Sequence, residues 1–336
     1  MPLTSDHPVT LDWRLLPRLL LGMWLGLGCV WALPTPPVEP ASAPAAKPFH
    51  PRVLLVYPTS ASAHSQAAKA LQDSLTRSAD GAVVEILDTA AYKAALAAGS
   101  LPVVQVELAL GSQSCAEVGA AARKVLALCT LIPRASYAAL LRSGQVKRTL
   151  SALYLDQPLR RQLGLIRLAL PEVSRVGVLL GPESTGQAAE LRAAARERGL
   201  VLQEARVAEA QSLYPTLRTL LEDSQVLLAL ADPLVYNSTN LQNILLTAWR
   251  ARVPMVGFSP SYVRAGALLG IYTTPEQAGR QAAKLVLAAL HGRGLPSTPQ
   301  EPDDFEIEIN AAVARTLNLS LDGARLHRAL RAQENL

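Results

Sequence analysis

The sequence predicts an α/β protein built as two doubly wound parallel-sheet lobes joined by a hinge. Three observations carry this. Short apolar runs rich in Val, Leu and Ile recur along the chain, as expected of strands buried on both faces. Helical stretches of about 10–15 residues separate them, the pattern of parallel sheets covered by helices. The strands are too many for one sheet of ordinary size, and the alternation pauses at residues 133–149. With 50% of its 336 residues hydrophobic and 18% charged, the chain can fill two cores.

Residues 52–57 are apolar and β-branched and read as the first strand, ended by the turn Pro58-Thr59-Ser60. Apolar residues at helical spacing follow over 64–78. Further strands are expected at 82–87, 103–110, 125–132 and 151–155, with helices at 89–98 and 114–123 between them. The second lobe begins near residue 157 with a helix over 159–170. Strands at 175–180, 201–206, 225–230 and 253–258 then alternate with helices at 187–198, 212–221 and 241–250. A strand at 267–272, a helix at 275–290 and a last strand at 305–309 complete the pattern, and the charged, amphipathic tail 326–336 reads as a terminal helix.

The amino terminus is of another kind. Arg14 and Arg18 precede fifteen uncharged residues, 19–33. That run is short for a spanning helix, which needs about 20 residues, and suits the core of an export signal. Cleavage, retention as an anchor and lipidation at Cys29 all stay open. Residues 34–51 carry seven prolines, which deny them helix and sheet and make them an extended tether. Residues 1–33 are thus assigned to export or anchoring, and the membrane is met only through this end.

The charge balance of +5 comes without a dense basic run, and aromatics are 4%, which argues against nucleic acid. Three cysteines and five histidines, none at metal spacing, exclude a disulfide scaffold and a structural metal; no cofactor is expected. Residues 181–186 follow a strand and open a helix as a phosphate loop does, but Gln187 and Ala188 stand where Lys and Ser or Thr are needed. Residues 257–261 begin like a nucleophile elbow, but Ser261 replaces the required Gly and no His base is near. No dinucleotide fingerprint follows any strand. The chain is therefore not read as an enzyme.

The polar loops at strand ends are more coherent, because ligands of such sheets sit outside the carboxyl ends of the strands. Thr59, Ser60, Ser112, Gln113, Glu183, Ser184, Asp232 and Ser259 fall there. Helix amino termini and hydroxyls can receive a carboxylate, and Asp232 or Glu183 an ammonium group. Tyr154, Tyr236 and Phe258 can stack on a ring or line an apolar pocket. These are the candidate ligand-binding residues. Cys115 and Cys129 fall on segments that become neighbours if their strands pair. They form either a bridge, in an oxidising compartment, or two buried thiols.

Several segments, in order, resemble the periplasmic substrate-binding proteins of ABC importers, in the uncharacterised group related to tryptophan/tyrosine-type binding proteins. They are Ala109-Leu110-Gly111-Ser112, residues 162–179, 251–259 and 263–268, and Gly279-Arg280-Gln281-Ala282-Ala283. The resemblance spans about residues 50–320. It implies a type I periplasmic-binding fold with three hinge crossings and a small, amino-acid-like ligand in the cleft. By this analogy residues 50–155 and 258–295 form the first lobe and 156–257 and 296–322 the second, with 323–336 as a tail. Residues 154–158 and 257–260 become hinge regions. The sequence departs from the family at Gly111-Ser112-Gln113, where members often show Gly-Thr-Pro, and at residues 234–240. The implied function is a periplasmic, exported solute-binding component of an ABC importer, with an ABC permease as partner. The alternative is a tethered sensory module, or an accessory to an outer-membrane uptake component, without its own transporter.

Overall fold

The computed structural model describes residues 50–78 and 81–334. The expected export segment and nearly all of the tether lie outside the described residues. The first sheet contains β1 (Arg52–Val56), β2 (Val83–Leu87), β3 (Val106–Leu110), β4 (Leu126–Ile132) and β5 (Ser151–Tyr154). It is parallel throughout, in the order β2-β1-β3-β4-β5. Helices α1 (Ser62–Thr76), α2 (Thr89–Ala97), α3 (Ser112–Ala120) and α4 (Arg134–Arg142) return the chain between strands. The helix α4 occupies the stretch where the sequence alternation pauses. Of its nine residues only Ala135 and Tyr137 are buried.

The second sheet has the order β11-β10-β9-β8-β6-β7. Its strands are β6 (Arg175–Leu180), β7 (Val201–Arg206), β8 (Val226–Leu228), β9 (Met255–Gly257), β10 (Leu269–Tyr272) and β11 (Glu306–Ile309). Only β11 runs antiparallel, against β10. Helices α5 (Leu159–Ala169), α6 (Ala188–Glu197), α7 (Leu213–Glu222), α8 (Leu241–Arg250) and α9 (Pro260–Ala265) lie between these strands in sequence. After β10 comes α10 (Pro275–Ala288), and after β11 come α11 (Ala311–Thr316) and α12 (Gly323–Glu334).

The core divides with the sheets. Val53, Leu55, Leu108 and Leu128 of the first sheet pack with Leu71 of α1 and Ala282 of α10. Val176, Val178 and Leu228 of the second pack with Leu163 and Ile166 of α5 and with Leu330 of α12. Each of these residues is 1% exposed or less, so each Val, Leu and Ile among them contributes about 1.5–3 kcal/mol of apolar burial. Residues 48–336 form one unit that holds both sheets and every core cluster.

The lobe boundary differs from the expected one. Residues 258–273 were assigned to the first lobe, with a hinge at 257–260, but β10 pairs in the second sheet, Gly270 opposite Gly257. The chain crosses after β10 instead. Thr274 caps α10 there through a reciprocal capping box with Gln277, and Pro275 takes the first turn. Small residues of α10 then settle on α1, and Gly279 lies directly against the Ala67 carbonyl. Residues 296–322 do not belong wholly to the second lobe either. Gln300 still bonds to β5, its N–H to Ala152 O at 2.7 Å and its carbonyl to Tyr154 N at 2.9 Å. Backbone pairing, not apolar content, decides these assignments.

Candidate functional site

The three crossings meet at Gln157, which follows β5 and is 5% exposed. Its Nε2 donates to Thr273 Oγ1 at 2.5 Å and to the Asp304 carbonyl at 3.3 Å. Its Oε1 accepts from Arg161 Nη1 at 2.6 Å. Arg161 also donates to Pro302 O at 2.8 Å, pairs with Glu334 of α12, and lies 4.7 Å over the Phe305 ring. One glutamine therefore ties the first, second and third crossings together.

Beside this knot the carboxyl ends of β4 and β5 face those of β8 and β9 across a cavity of about 130 Å³. Pro133, Leu155, Leu230 and Phe258 supply apolar wall, and Gln162, Gln187 and Ser259 supply polar atoms. The single charged residue of the wall is Asp156. Its Oδ2 accepts the Arg134 N–H at 2.6 Å, while desolvation raises its pKa above the usual carboxylate value. The Arg134 guanidinium does not reach into the cavity wall. It pairs with Glu190 of α6 at 2.8 Å and lies 5.6 Å over the Tyr154 ring. Leu131 takes φ 53° where the β4–β5 register shifts, next to this wall. Left-handed backbone at a branched residue costs energy and is held only by its surroundings.

The expected ligand residues are distributed unevenly. Phe258 and Ser259 line the cavity, and Tyr154 stands next to its wall residue Leu155, edge-on to Tyr137 at 5.9 Å. Thr59, Ser60, Ser112 and Gln113 are exposed at the carboxyl end of the first sheet and outside the cavity wall. Thr59 is bonded to Asp88 through both its N–H and its hydroxyl, at 3.1 and 3.2 Å. Asp232, expected together with Glu183 as a candidate to receive an ammonium group, is 2% exposed. Its carboxylate accepts the N–H groups of Glu183, Ser184 and Leu234 at 3.1, 2.9 and 3.0 Å and the Ser184 hydroxyl at 2.9 Å. Ser184 and Asp232 thus serve as a loop clasp, with Glu183 held by its backbone. Tyr236 is 5% exposed and packs against Phe258 and Tyr262, both at 6.3 Å. Its hydroxyl finds no partner among the described residues, and burial pushes its pKa up.

Two further features sit near these ends. The His64 imidazole packs against Gly111, where φ is 86° and a Cβ would collide with the ring. Its Nδ1 is buried without a partner among the described residues, and burial lowers its pKa. Cys115 and Cys129 do fall on adjacent segments, and both are free, buried thiols. Burial and the neighbouring Cys129 side chain push the Cys115 thiol up. Among the described residues no cluster of side chains is able to hold a metal ion, and no helix is long and apolar enough to cross a membrane.

Asp156, Gln157, Gln162 and Gln187 escaped the sequence reading. Asp156 and Gln157 directly follow a strand, so the strand-end rule that selected Tyr154 covers them too. Gln162 and Gln187 lie in helical turns and carry no local sign of facing a cavity.

Known structures share this arrangement. A conserved domain protein from Vibrio cholerae aligns at 21% identity and a TM-score of 0.55, covering 83% of this chain and 98% of that one. A domain from Streptococcus pneumoniae in complex with L-Trp aligns at 16% identity and 0.53, covering 82% and 97%. The ligand-free, open form of a substrate binding protein with adhesive properties from Clostridium difficile aligns at 15% and 0.61, covering 81% and 96%. At these identities the likeness is one of fold. No curated protein matches the chain. The sequence profile described as ABC transporter substrate binding protein matches residues 154–332. That is more than half of the chain, including the first crossing, the whole second sheet and the knot at Gln157, and the protein belongs to this family of ABC transporter substrate-binding proteins.

Proposed function

We propose that this protein captures a small, amino-acid-like molecule in the cavity between its lobes, in the periplasm, and presents it to an ABC permease. The observation that carries this reading is the cavity itself, at the carboxyl ends of strands from both sheets and beside the three crossings. Its wall offers one carboxylate, Asp156, among amides and apolar groups, which suits a molecule with a single ammonium group. The complex of one structural neighbour with L-Trp supports the amino-acid class. Capture drives approach of the lobes only if the ligand binds the approached state better than the open one.

The test is thermal unfolding of residues 48–336 against a library of amino acids, their derivatives, nucleobases and sugars. A ligand at 100 times its Kd stabilises the fold by about 2.7 kcal/mol, a readable shift. A shift with amino acids that Asp156→Asn removes supports the reading. A shift with sugars alone overturns the amino-acid class. A blank across the library overturns solute capture and leaves the tethered sensory or accessory module.

A further inference from the structure

A second, larger cavity lies at the other end of the first sheet. Pro51, Gln105, Leu126 and Ser151 stand at the amino-terminal ends of β1, β3, β4 and β5 and border a groove of about 950 Å³. Because those strands are parallel, groove and cleft occupy opposite edges of one sheet.

The groove is cationic. Arg123, Lys124, Lys147 and Arg148 line it, and no carboxylate does. Behind the wall is Glu107, fully buried in β3, which lies 3.1 Å from Arg123 and pairs with Arg148. Four cations against this one carboxylate leave an excess of three. Arg123 is further held by the Pro102 carbonyl at 2.8 Å, and Arg148 by that of Val125. Arg148 is 4% exposed at its side chain, yet its Nε has no partner among the described residues. Lys124 and Lys147 are exposed and make no ion pair among the described residues. The remaining wall is apolar, with Leu290, Leu295 and the 41%-exposed Leu126. Val103, 79% exposed, adjoins the wall residue Val104.

Guanidiniums held by carbonyls, exposed lysines and apolar flanks fit a phosphate-bearing amphiphile. The position favours a lipid surface over a soluble anion. The chain that precedes Pro51 carries the uncharged run 19–33, whose composition suits a membrane-directed segment, with only the Pro-rich stretch 34–51 in between. We propose that this groove docks the protein on the headgroups of anionic phospholipids between deliveries, a resting state that it leaves when its cleft faces a permease. The proposal rests on the reading of the amino terminus as a membrane-directed segment, and it is independent of what the cleft binds.

The test is flotation of the 48–336 protein, which holds both sheets and all cores, with vesicles of phosphatidylcholine alone or mixed with phosphatidylglycerol. Binding only to the mixed vesicles is expected. Lys124→Gln with Lys147→Gln is expected to weaken it roughly thirtyfold, from about 1 kcal/mol per lysine near an anionic surface. Lys69→Gln on α1 is expected to change nothing. Both lysines of the double variant are exposed, so its unfolding midpoint is expected to match the parent's. Equal binding to neutral vesicles, binding to neither, or an undiminished double variant overturns the proposal. Displacement and thermal stabilisation by inorganic phosphate at constant ionic strength assigns the groove to a soluble anion instead, and overturns the lipid surface.

Discussion

Gln157 donates a hydrogen bond of 2.5 Å to Thr273, and this contact joins two crossings that are more than a hundred residues apart in the chain. Both side chains are buried, at 5% and 6% exposure. Truncation by Gln157→Ala removes its bonds to Thr273 Oγ1, the Asp304 carbonyl and Arg161 Nη1, while Thr273 Oγ1 keeps Asp304 O and Arg161 Nη1 keeps Pro302 O. Loss of these buried hydrogen bonds costs about 1–3 kcal/mol in all. The expected result is a loss of this size in urea unfolding, with a wider spread of lobe separations by small-angle scattering.

The Arg134–Glu190 pair reaches from α4, beside the first sheet, to α6, beside the second. Its side chains are 28% and 46% exposed, so solvent screens it, and such pairs contribute about 0–1 kcal/mol. Glu190→Gln is expected to weaken ligand binding by no more than about fivefold, with the difference fading as salt rises. A larger loss that persists in high salt rules out this role as a screened tie between lobes.

Asp156 provides a pH test. Its pKa is raised in the folded protein by desolvation. Its contribution to stability is therefore full below the unfolded value and lost as pH rises through the folded one. Asp156→Asn is expected to remove that downward slope in a plot of unfolding free energy against pH. An ammonium ligand prefers the charged carboxylate, so its affinity is expected to rise over the same window in the parent. Loss of the charged partner is expected to cost about 2–5 kcal/mol of binding, measured by calorimetry.

Asp232 is expected to act on stability. Its replacement by Ala strands the N–H groups of Glu183, Ser184 and Leu234. The expected loss is about 3 kcal/mol or more in chemical unfolding, since hydrogen bonds to a charged group contribute about 1.5–3 kcal/mol each. Gly181→Ala is expected to do similar damage, because its Cβ would enter the Asp232 carboxylate. Variants of Asp232 that stay fully stable but lose ligand would restore the ammonium role.

Gly279→Ala tests the seating of α10 on α1. A Cβ there meets the Ala67 carbonyl, which is backbone and has little room to yield. Overpacking of this kind costs about 1–3 kcal/mol, read as a lower unfolding midpoint. The same change at Gly186, with open space around it, is the control.

The sequence by itself determined the α/β alternation, the two lobes and the family. Each depends on local composition: apolar runs long enough for a strand, helical spacing between them, and ordered segments that resemble known proteins. Only the tertiary structure decided where the lobes exchange chain and which strand-end residues converge. The run 267–272 reads the same whichever sheet it joins; pairing of Gly270 with Gly257, and the cap at Thr274, chose the second. Asp232 and Asp156 are equally plausible acids in sequence, each at the end of a strand. One is consumed by the backbone of a loop 48 residues away, and the other faces a cavity. A carboxylate's role depends on which donors reach it first, and those donors are set by packing between segments that the linear pattern does not relate.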